Sequence, residues 1–189
     1  MRVLVTGATG FTGGVLAHHL VGAGERVRAL ARPASLNRSR GLRDAGIEVV
    51  SGDLANAESL EAACQDVEVV YHIAATYRSA GRAAAYREVN VDGTRRLLDA
   101  AQAAGVGRVV HCSTGGVHGH IEHPPATEES PLSPGDLYQE TKLEGERLAR
   151  DRGKAGGMEV VVARPIGIYG PGDTRFLKLF RLASGRVML

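Results

Sequence analysis

The sequence predicts a doubly wound α/β domain, a parallel sheet with helices on both faces. Two observations carry this. Six short apolar runs alternate with helical patterns along the 189 residues. Parallel strands require such crossovers, which pack back on the sheet with one hand. The first run, residues 3–5, also opens at Thr6-Gly7 into glycines spaced G-x-x-G-x-x-G, with a helical pattern at 15–21 behind them. A hydrophobic share of 43% is enough to fill the core of one such domain.

Each glycine of the opening loop has a physical role. Gly7 permits the tight turn, Gly10 lets a pyrophosphate approach the backbone, and Gly13 lets the helix pack on the strand. The free N–H groups at the helix start, with the helix dipole, then hold the anion. A strand before the glycines and a helix after them is the context that makes the pattern specific. The loop is therefore expected to bind a dinucleotide, with Thr9, Phe11 and Thr12 among its contacts.

Other partner classes find no support. A net charge of +2 makes no basic field for nucleic acid. No apolar run approaches the ~20 residues of a membrane span. The first residues lead into a strand with no leader pattern. Cys64 and Cys112 are isolated thiols, so a reduced, cytoplasmic protein is expected.

Residues 25–31 (ERVRALA) alternate polar and apolar and predict the second strand. Its end bears on cofactor choice. An acid there would bind the ribose 2′-hydroxyl of NAD, whereas this chain has Ala31-Arg32, with Ser35 and Arg38 close behind. A guanidinium clamps a 2′-phosphate, so NADP is favoured and NAD is the alternative. Residues 39–45 predict a short helix and 47–50 a third strand ending at Gly52-Asp53-Leu54. Asp53 either contacts the adenine end of the ligand or caps the next helix, at 57–64. Residues 67–73 predict a fourth strand, whose small residues Ala74 and Ala75 let the cofactor lie against the backbone; His72 within it is read as a core histidine.

Residues 83–104 carry the longest helical pattern. Its Gly93 costs ~1 kcal/mol relative to Ala, which predicts close packing there. Residues 106–112 predict a fifth strand, ending in Ser113-Thr114-Gly115-Gly116. A loop at 119–135 leads to a helix starting near Asp136. The sixth strand, 158–163, runs into Arg164-Pro165 and a turn-rich stretch, and 175–183 form the last helical pattern.

Tyr138 and Lys142 stand four apart on a predicted helix and so share a face. A nearby ammonium favours the phenolate, which is expected to bring the tyrosine toward working pH. The lysine can also bind ribose hydroxyls.

With these residues in place the chain resembles the extended short-chain dehydrogenase/reductase superfamily, within it the NAD-dependent epimerase/dehydratase family. The matching segments are 5–13 (VTGATGFTG), 52–54 (GDL), 71–75 (YHIAA), 89–94 (VNVDGT), 113–119 (STGGVHG), 138–142 (YQETK) and 164–171 (RPIGIYGP), in the family's order. The resemblance implies a Rossmann fold and an enzyme moving a hydride to or from a hydroxyl or carbonyl carbon, in epimerases on a nucleotide-linked sugar. It implies Tyr138 as general acid/base, Lys142 as its tuning and ribose-binding partner, and Thr114 as the substrate-orienting hydroxyl, with Ser113 as the alternative. Pro165 joins the cofactor contacts, and Asn90 resembles the family's helix asparagine, with a structural role equally open. A homodimer paired through the 83–104 and Tyr138 helices is implied, acting on a small-molecule substrate.

Departures from the family pattern narrow this. Gly115-Gly116 stand where sugar-nucleotide dehydratases carry an acidic pair, which argues against a 4,6-dehydratase. Arg32-Pro33 resembles the dihydroflavonol-reductase branch, which makes an NADPH-dependent ketone reductase the second reading. A dinucleotide sensor without turnover is the third, and the Tyr/Lys pair speaks against it. Residues 1–173 are expected to form the dinucleotide-binding domain and 174–189 the start of a substrate-binding lobe that is otherwise absent. His118, His120, Glu122 and His123 offer metal ligands in an H-x-H-x-x-H spacing, but no second pair closes a tetrahedral site. They are read as surface histidines, with no metal expected.

Overall fold

The apolar runs do form the strands of one sheet. A computed structural model describes residues 1–77 and 83–185. Strands β1 (Arg2–Thr6), β2 (Arg26–Ala31), β3 (Glu48–Ser51), β4 (Val69–His72), β5 (Arg108–Cys112) and β6 (Glu159–Ala163) are all parallel, in the order β3-β2-β1-β4-β5-β6. Side chains alternate across this sheet. Val3 and Val5 join one core with Ala17 and Leu20 of α1 (Phe11–Gly22) and Leu42 of α2 (Arg40–Asp44). Leu4 and Val70 join the other with Leu60 of α3 (Ala57–Cys64) and Leu97 and Leu98 further along. Both faces are covered, as a parallel sheet demands.

Several boundaries differ from the sequence expectation, each for a local reason. Helix α1 starts at Phe11, because Gly10 is its N-cap and the glycine loop closes at once. A 3-10 stretch, Pro33–Ser39, precedes α2, since Pro33 can open a helical turn without a backbone donor. The alternation in β2 suggested a half-exposed strand, yet Arg28 is buried. Its Nη1 donates to the carbonyls of Ala63 and Gln65 at 2.8 and 2.9 Å, and it pairs with Glu48 at 3.1 Å.

The long helical pattern is broken in the middle. Helix α4 (Ala83–Arg87) passes through a π turn, Glu88–Gly93, into α5 (Thr94–Ala103). Gly93 packs as closely as expected: a Cβ there would stand 2.9 Å from Leu54 Cβ. A second 3-10 turn, Gly115–His118, follows β5. Helix α6 (Leu137–Ala155) is capped by Asp136, whose carboxylate accepts from Gln139 N at 2.8 Å. The last helix, α7 (Leu177–Ala183), starts two residues later than expected, and residues 186–189 lie outside the described residues. Its Leu179, Phe180 and Leu182 are exposed.

Candidate active site

The strand order reverses between β1 and β4, and the cleft at their carboxyl ends is where this fold class places ligands. A cavity of roughly 610 Å³ opens there, within the usual range for small-molecule sites. Its walls bring together the glycine loop (Gly7, Thr9, Gly10, Phe11, Thr12, Gly13), Arg32, Asp53, Leu54, Ala74, Ala75, Ser113, Thr114, Tyr138, Lys142 and Pro165. Segments spread over the whole sequence thus meet in one place.

The glycine loop is a cradle in the literal sense. Gly7 has φ 75°, and a Cβ on it would lie 2.8 Å from Ala74 N. A Cβ on Gly13 would come within 2.4 Å of Gly7 O, so helix and strand approach only without side chains. No side chain caps α1, and its first turn holds no acid. Its N–H groups are open to an anion.

Beneath the cradle a chain of hydrogen bonds sets one tautomer of His72. Ala74 N donates to Thr6 Oγ1 at 3.2 Å, and Thr6 Oγ1 meets His72 Nδ1 at 2.8 Å. His72 Nε2 meets Thr94 Oγ1 at 3.0 Å, and Thr94 Oγ1 donates to Asn90 O at 2.9 Å. Because Thr94 spends its proton on Asn90, His72 must donate from Nε2 and accept at Nδ1. Burial, with the Lys142 charge nearby, pushes its pKa down to about 3. His72 is therefore a neutral core residue, as expected.

Asn90 takes the structural role left open. Its Oδ1 accepts from Thr76 N at 2.8 Å, and its Nδ2 donates to Thr76 O and Thr141 Oγ1 at 3.2 and 3.1 Å. It ties the segment after β4 to α6. Asp53 does not cap α3. Asn56 does, accepting from Ser59 N at 2.9 Å, while Asp53 Oδ1 accepts from Ala55 N and faces the cavity.

Tyr138 and Lys142 sit on one face of α6, but their electrostatics differ from the expectation. Burial raises the Tyr138 pKa to about 12, helped by Cys112, Tyr77 and Asp136, with Arg175 opposing. Lys142 does not lower it. The lysine is buried, and its Nζ donates to Cys112 O at 2.6 Å, drawn under β5. Burial brings its own pKa down to about 8. Tyr77 packs edge-on against Tyr138, ring centres 4.9 Å apart. Both shifts have one cause, the removal of charged forms from water.

The two hydroxyl candidates after β5 separate clearly. Thr114 is half-buried in the cavity wall, and its Oγ1 accepts from Gly116 N at 3.2 Å, leaving its proton to donate. Ser113 is buried, and its Oγ has no hydrogen-bond partner among the described residues. It lies close enough to Glu146 to favour that carboxylate, without the alignment of a hydrogen bond.

His118 is not the surface residue expected. It is buried, its Nδ1 bonded to Pro131 O at 3.1 Å and its Nε2 facing Arg164 Nη1 at 3.1 Å. Arg164 in turn holds the buried Glu146 through two hydrogen bonds, at 2.6 and 3.1 Å. The Ser133 N to Val117 O bond, at 3.0 Å, completes the packing of the 119–135 loop. No group of three metal-ligating side chains occurs among the described residues.

Sequence reasoning passed over Thr76, Tyr77, residues 166–168, Arg175 and Phe176, all of which line the cavity. Only the turn residues Gly170, Pro171 and Gly172 signalled that the chain doubles back there.

Comparison with known proteins identifies the family and the fold. The model of the NAD dependent epimerase/dehydratase family matches residues 3–184. A 3 beta-hydroxysteroid dehydrogenase/Delta 5-->4-isomerase of Mycobacterium tuberculosis is 38% identical over 194 residues, covering 95% of this chain and 50% of the relative. A dTDP-glucose 4,6-dehydratase of Streptomyces antibioticus is 35% identical, covering 90% of this chain and 54% of its own. Among solved structures, a dTDP-glucose 4,6-dehydratase double mutant of Streptomyces venezuelae with NAD bound superposes with a TM-score of 0.83 at 33% identity, over 97% of this chain and 62% of that one. A UDP-glucuronic acid 4-epimerase of Bacillus cereus in complex with NAD gives 0.81 at 28%, over 92% and 59%. The chain spans about half the length of the curated relatives it matches.

Proposed function

The chain belongs to the NAD dependent epimerase/dehydratase family, and from that premise we propose that it serves an oxidoreductase moving a hydride to or from a hydroxyl or carbonyl carbon, with a nucleotide-linked sugar as substrate. The observation that carries this reading is the single cleft joining the glycine cradle to Thr114, Tyr138 and Lys142. Residues 1–173 are read as the dinucleotide-binding part and 174–189 as the start of the substrate-binding lobe. Two free cysteines, Cys64 and Cys112, fit a reducing cytoplasm, and among the described residues no helix is long and apolar enough to cross a membrane.

The cradle fits a dinucleotide, because Gly10 keeps the start of α1 bare of a side chain and that start holds neither a side-chain cap nor an acid. Gly10 and the open N-terminus of α1 would hold the pyrophosphate, and Ala74 and Ala75 would let the ligand lie on the end of β4. When bound, the nicotinamide supplies the hydride acceptor or donor. The chain's own residues handle the proton. Thr114 donates to the substrate oxygen and orients it. Tyr138, protonated at neutral pH as any tyrosine is and held so more firmly by burial, delivers a proton to a carbonyl oxygen as it becomes a hydroxyl. Lys142 holds ribose hydroxyls and supplies positive charge beneath the site.

Space argues against 4,6-dehydration. A Cβ on Gly115 would meet Ile166 Cγ1 at 2.9 Å, and one on Gly116 would meet Gln139 Nε2 at 3.2 Å. An acidic pair there would need both neighbours to move. The second reading, a ketone reductase, draws on the proton-donating state of Tyr138 and on the hydroxysteroid dehydrogenase relative. Incubation with nucleotide sugars or with ketones, followed by nicotinamide absorbance and product analysis, separates the two. Net epimerisation without change in the dinucleotide supports the first; stoichiometric oxidation of reduced dinucleotide by a ketone replaces it with the second.

NADP is favoured over NAD, although the solved relatives named above hold NAD. Arg32 is exposed on the cavity wall, beside Arg38, whose Nη2 donates to Ser35 Oγ at 2.8 Å. No acid takes the place of Arg32 at the end of β2. Arg32→Ala is expected to cost ~1.5–3 kcal/mol of NADP binding, about ten- to a hundredfold, with NAD little changed. Equal affinity of the unaltered chain for NAD and NADP, measured by calorimetric titration, would remove the preference. A homodimer through the outer faces of α4–α5 and α6 is also proposed. Arg87 already braces that face with two hydrogen bonds to Glu144, at 2.8 and 2.7 Å.

A further inference from the structure

The segment after β6 returns over the mouth of the cleft. Gly170 and Gly172, at φ 157° and 90°, turn it back, and Asp173 N closes on Gly170 O at 3.0 Å. Arg175 is then held on several sides. Its Nε and Nη2 lie on the Asp173 carboxylate at 2.8 and 3.1 Å, and Nη2 also donates to Ile168 O at 3.0 Å. Its guanidinium carbon sits over the Phe11 ring, 5.4 Å from the centre. Phe11 is the first residue of α1, the helix whose N-terminus carries neither a side-chain cap nor an acid. A fixed cation therefore stands beside an open helix N-terminus, and both line the same cavity.

We propose that Arg175 is a binding residue for the dinucleotide, closing over the nicotinamide-side phosphate of its pyrophosphate. The assignment to that phosphate follows from position. Arg32 and Arg38 mark the adenosine end of the cleft. Arg175 lines the other end together with Tyr77 and Tyr138, whose rings pack against each other. Asp173 occupies the Nε–Nη2 edge, and Nη1 makes no hydrogen bond among the described residues. A guanidinium immobilised before the ligand arrives loses little further freedom on binding. Phosphate contact from a helix N-terminus and an arginine together is a charge-assisted pair of the strong kind.

This inference rests on the dinucleotide reading, and one titration series separates the two. The probes are NADPH or NADH by its own fluorescence, which no tryptophan complicates since the chain has none, and ADP-ribose and AMP by calorimetry. Binding of at least one reduced dinucleotide to the unaltered chain is required; its absence overturns the dinucleotide reading and this inference with it. Arg175→Ala should weaken reduced dinucleotide and ADP-ribose alike by about ten- to a hundredfold. AMP, which lacks the second phosphate, should change by no more than about threefold, and Arg175→Lys should recover part of the loss as a point charge does. ADP-ribose affinity within about twofold of the unaltered chain overturns the proposal. So does an equal loss for AMP, which would mean that the variant disturbs the whole cleft.

Discussion

Tyr138→Phe is expected to lower turnover by ~10²–10⁴, the usual contribution of a positioned proton donor, while dinucleotide affinity changes by no more than a fewfold. The phenyl ring would still pack against Tyr77 at the cavity wall, so only the hydroxyl with its proton is lost. Lys142→Ala should damage both rate and affinity. It removes the group read as the ribose contact, and it leaves the Cys112 carbonyl without the donor now at 2.6 Å. The pH profile gives an independent check. Burial brings the Lys142 pKa down to about 8, so its positive charge is present below that value and fades above it. Rates should decline as pH rises through about 8. A Tyr138→Phe variant with full activity, in any form of the protein that turns over, would remove the tyrosine from the mechanism.

Arg164→Ala is expected to destabilise the fold by about 3 kcal/mol, the lower end for breaking a buried ion pair. The Glu146 side chain is 1% exposed and that of Arg164 10%. Arg150 remains as a second partner at 2.9 Å, but it is half in solvent and cannot replace a two-point contact. His118 and the carbonyl of Glu128 would lose their guanidinium as well. Replacing both buried partners, as Glu146→Gln with Arg164→Met, should recover much of the loss, since the cost comes from an unpaired charge. Urea denaturation measures this directly, and a midpoint for Arg164→Ala unchanged from the parent would show that the pair contributes nothing.

The same pair sets a pH dependence. Burial alone would raise the Glu146 pKa, but hydrogen bonds from Arg164 and the charges of Arg164 and Arg150 outweigh it, and the net shift is downward. A carboxyl depressed in the folded state contributes stability above its unfolded value, ~4.3. That contribution should disappear as pH falls through the lower, folded value. In Arg164→Ala the acid side of the stability curve should flatten.

The sequence alone determined the sheet and the location of the cleft. The apolar runs are short because each strand crosses one buried layer, and their spacing leaves room only for helical crossovers. Gly7 and Gly13 could be interpreted singly because each answers a steric demand that no side chain can meet. Tyr138 and Lys142 were legible for a related reason: four residues on a helix is a spatial neighbour. Tertiary structure decided the rest. Lys142 shares a helix face with Tyr138, yet its ammonium goes to the Cys112 carbonyl at the end of β5, thirty positions away. Asp53 lost the cap of α3 to Asn56 because the chain turns between them. His118 looked like one of several loop histidines until Arg164, 46 positions away, met its ring. Arg175 reaches Phe11 across almost the whole chain. Such contacts depend on which strand ends lie side by side, and no periodicity along the sequence records that distance.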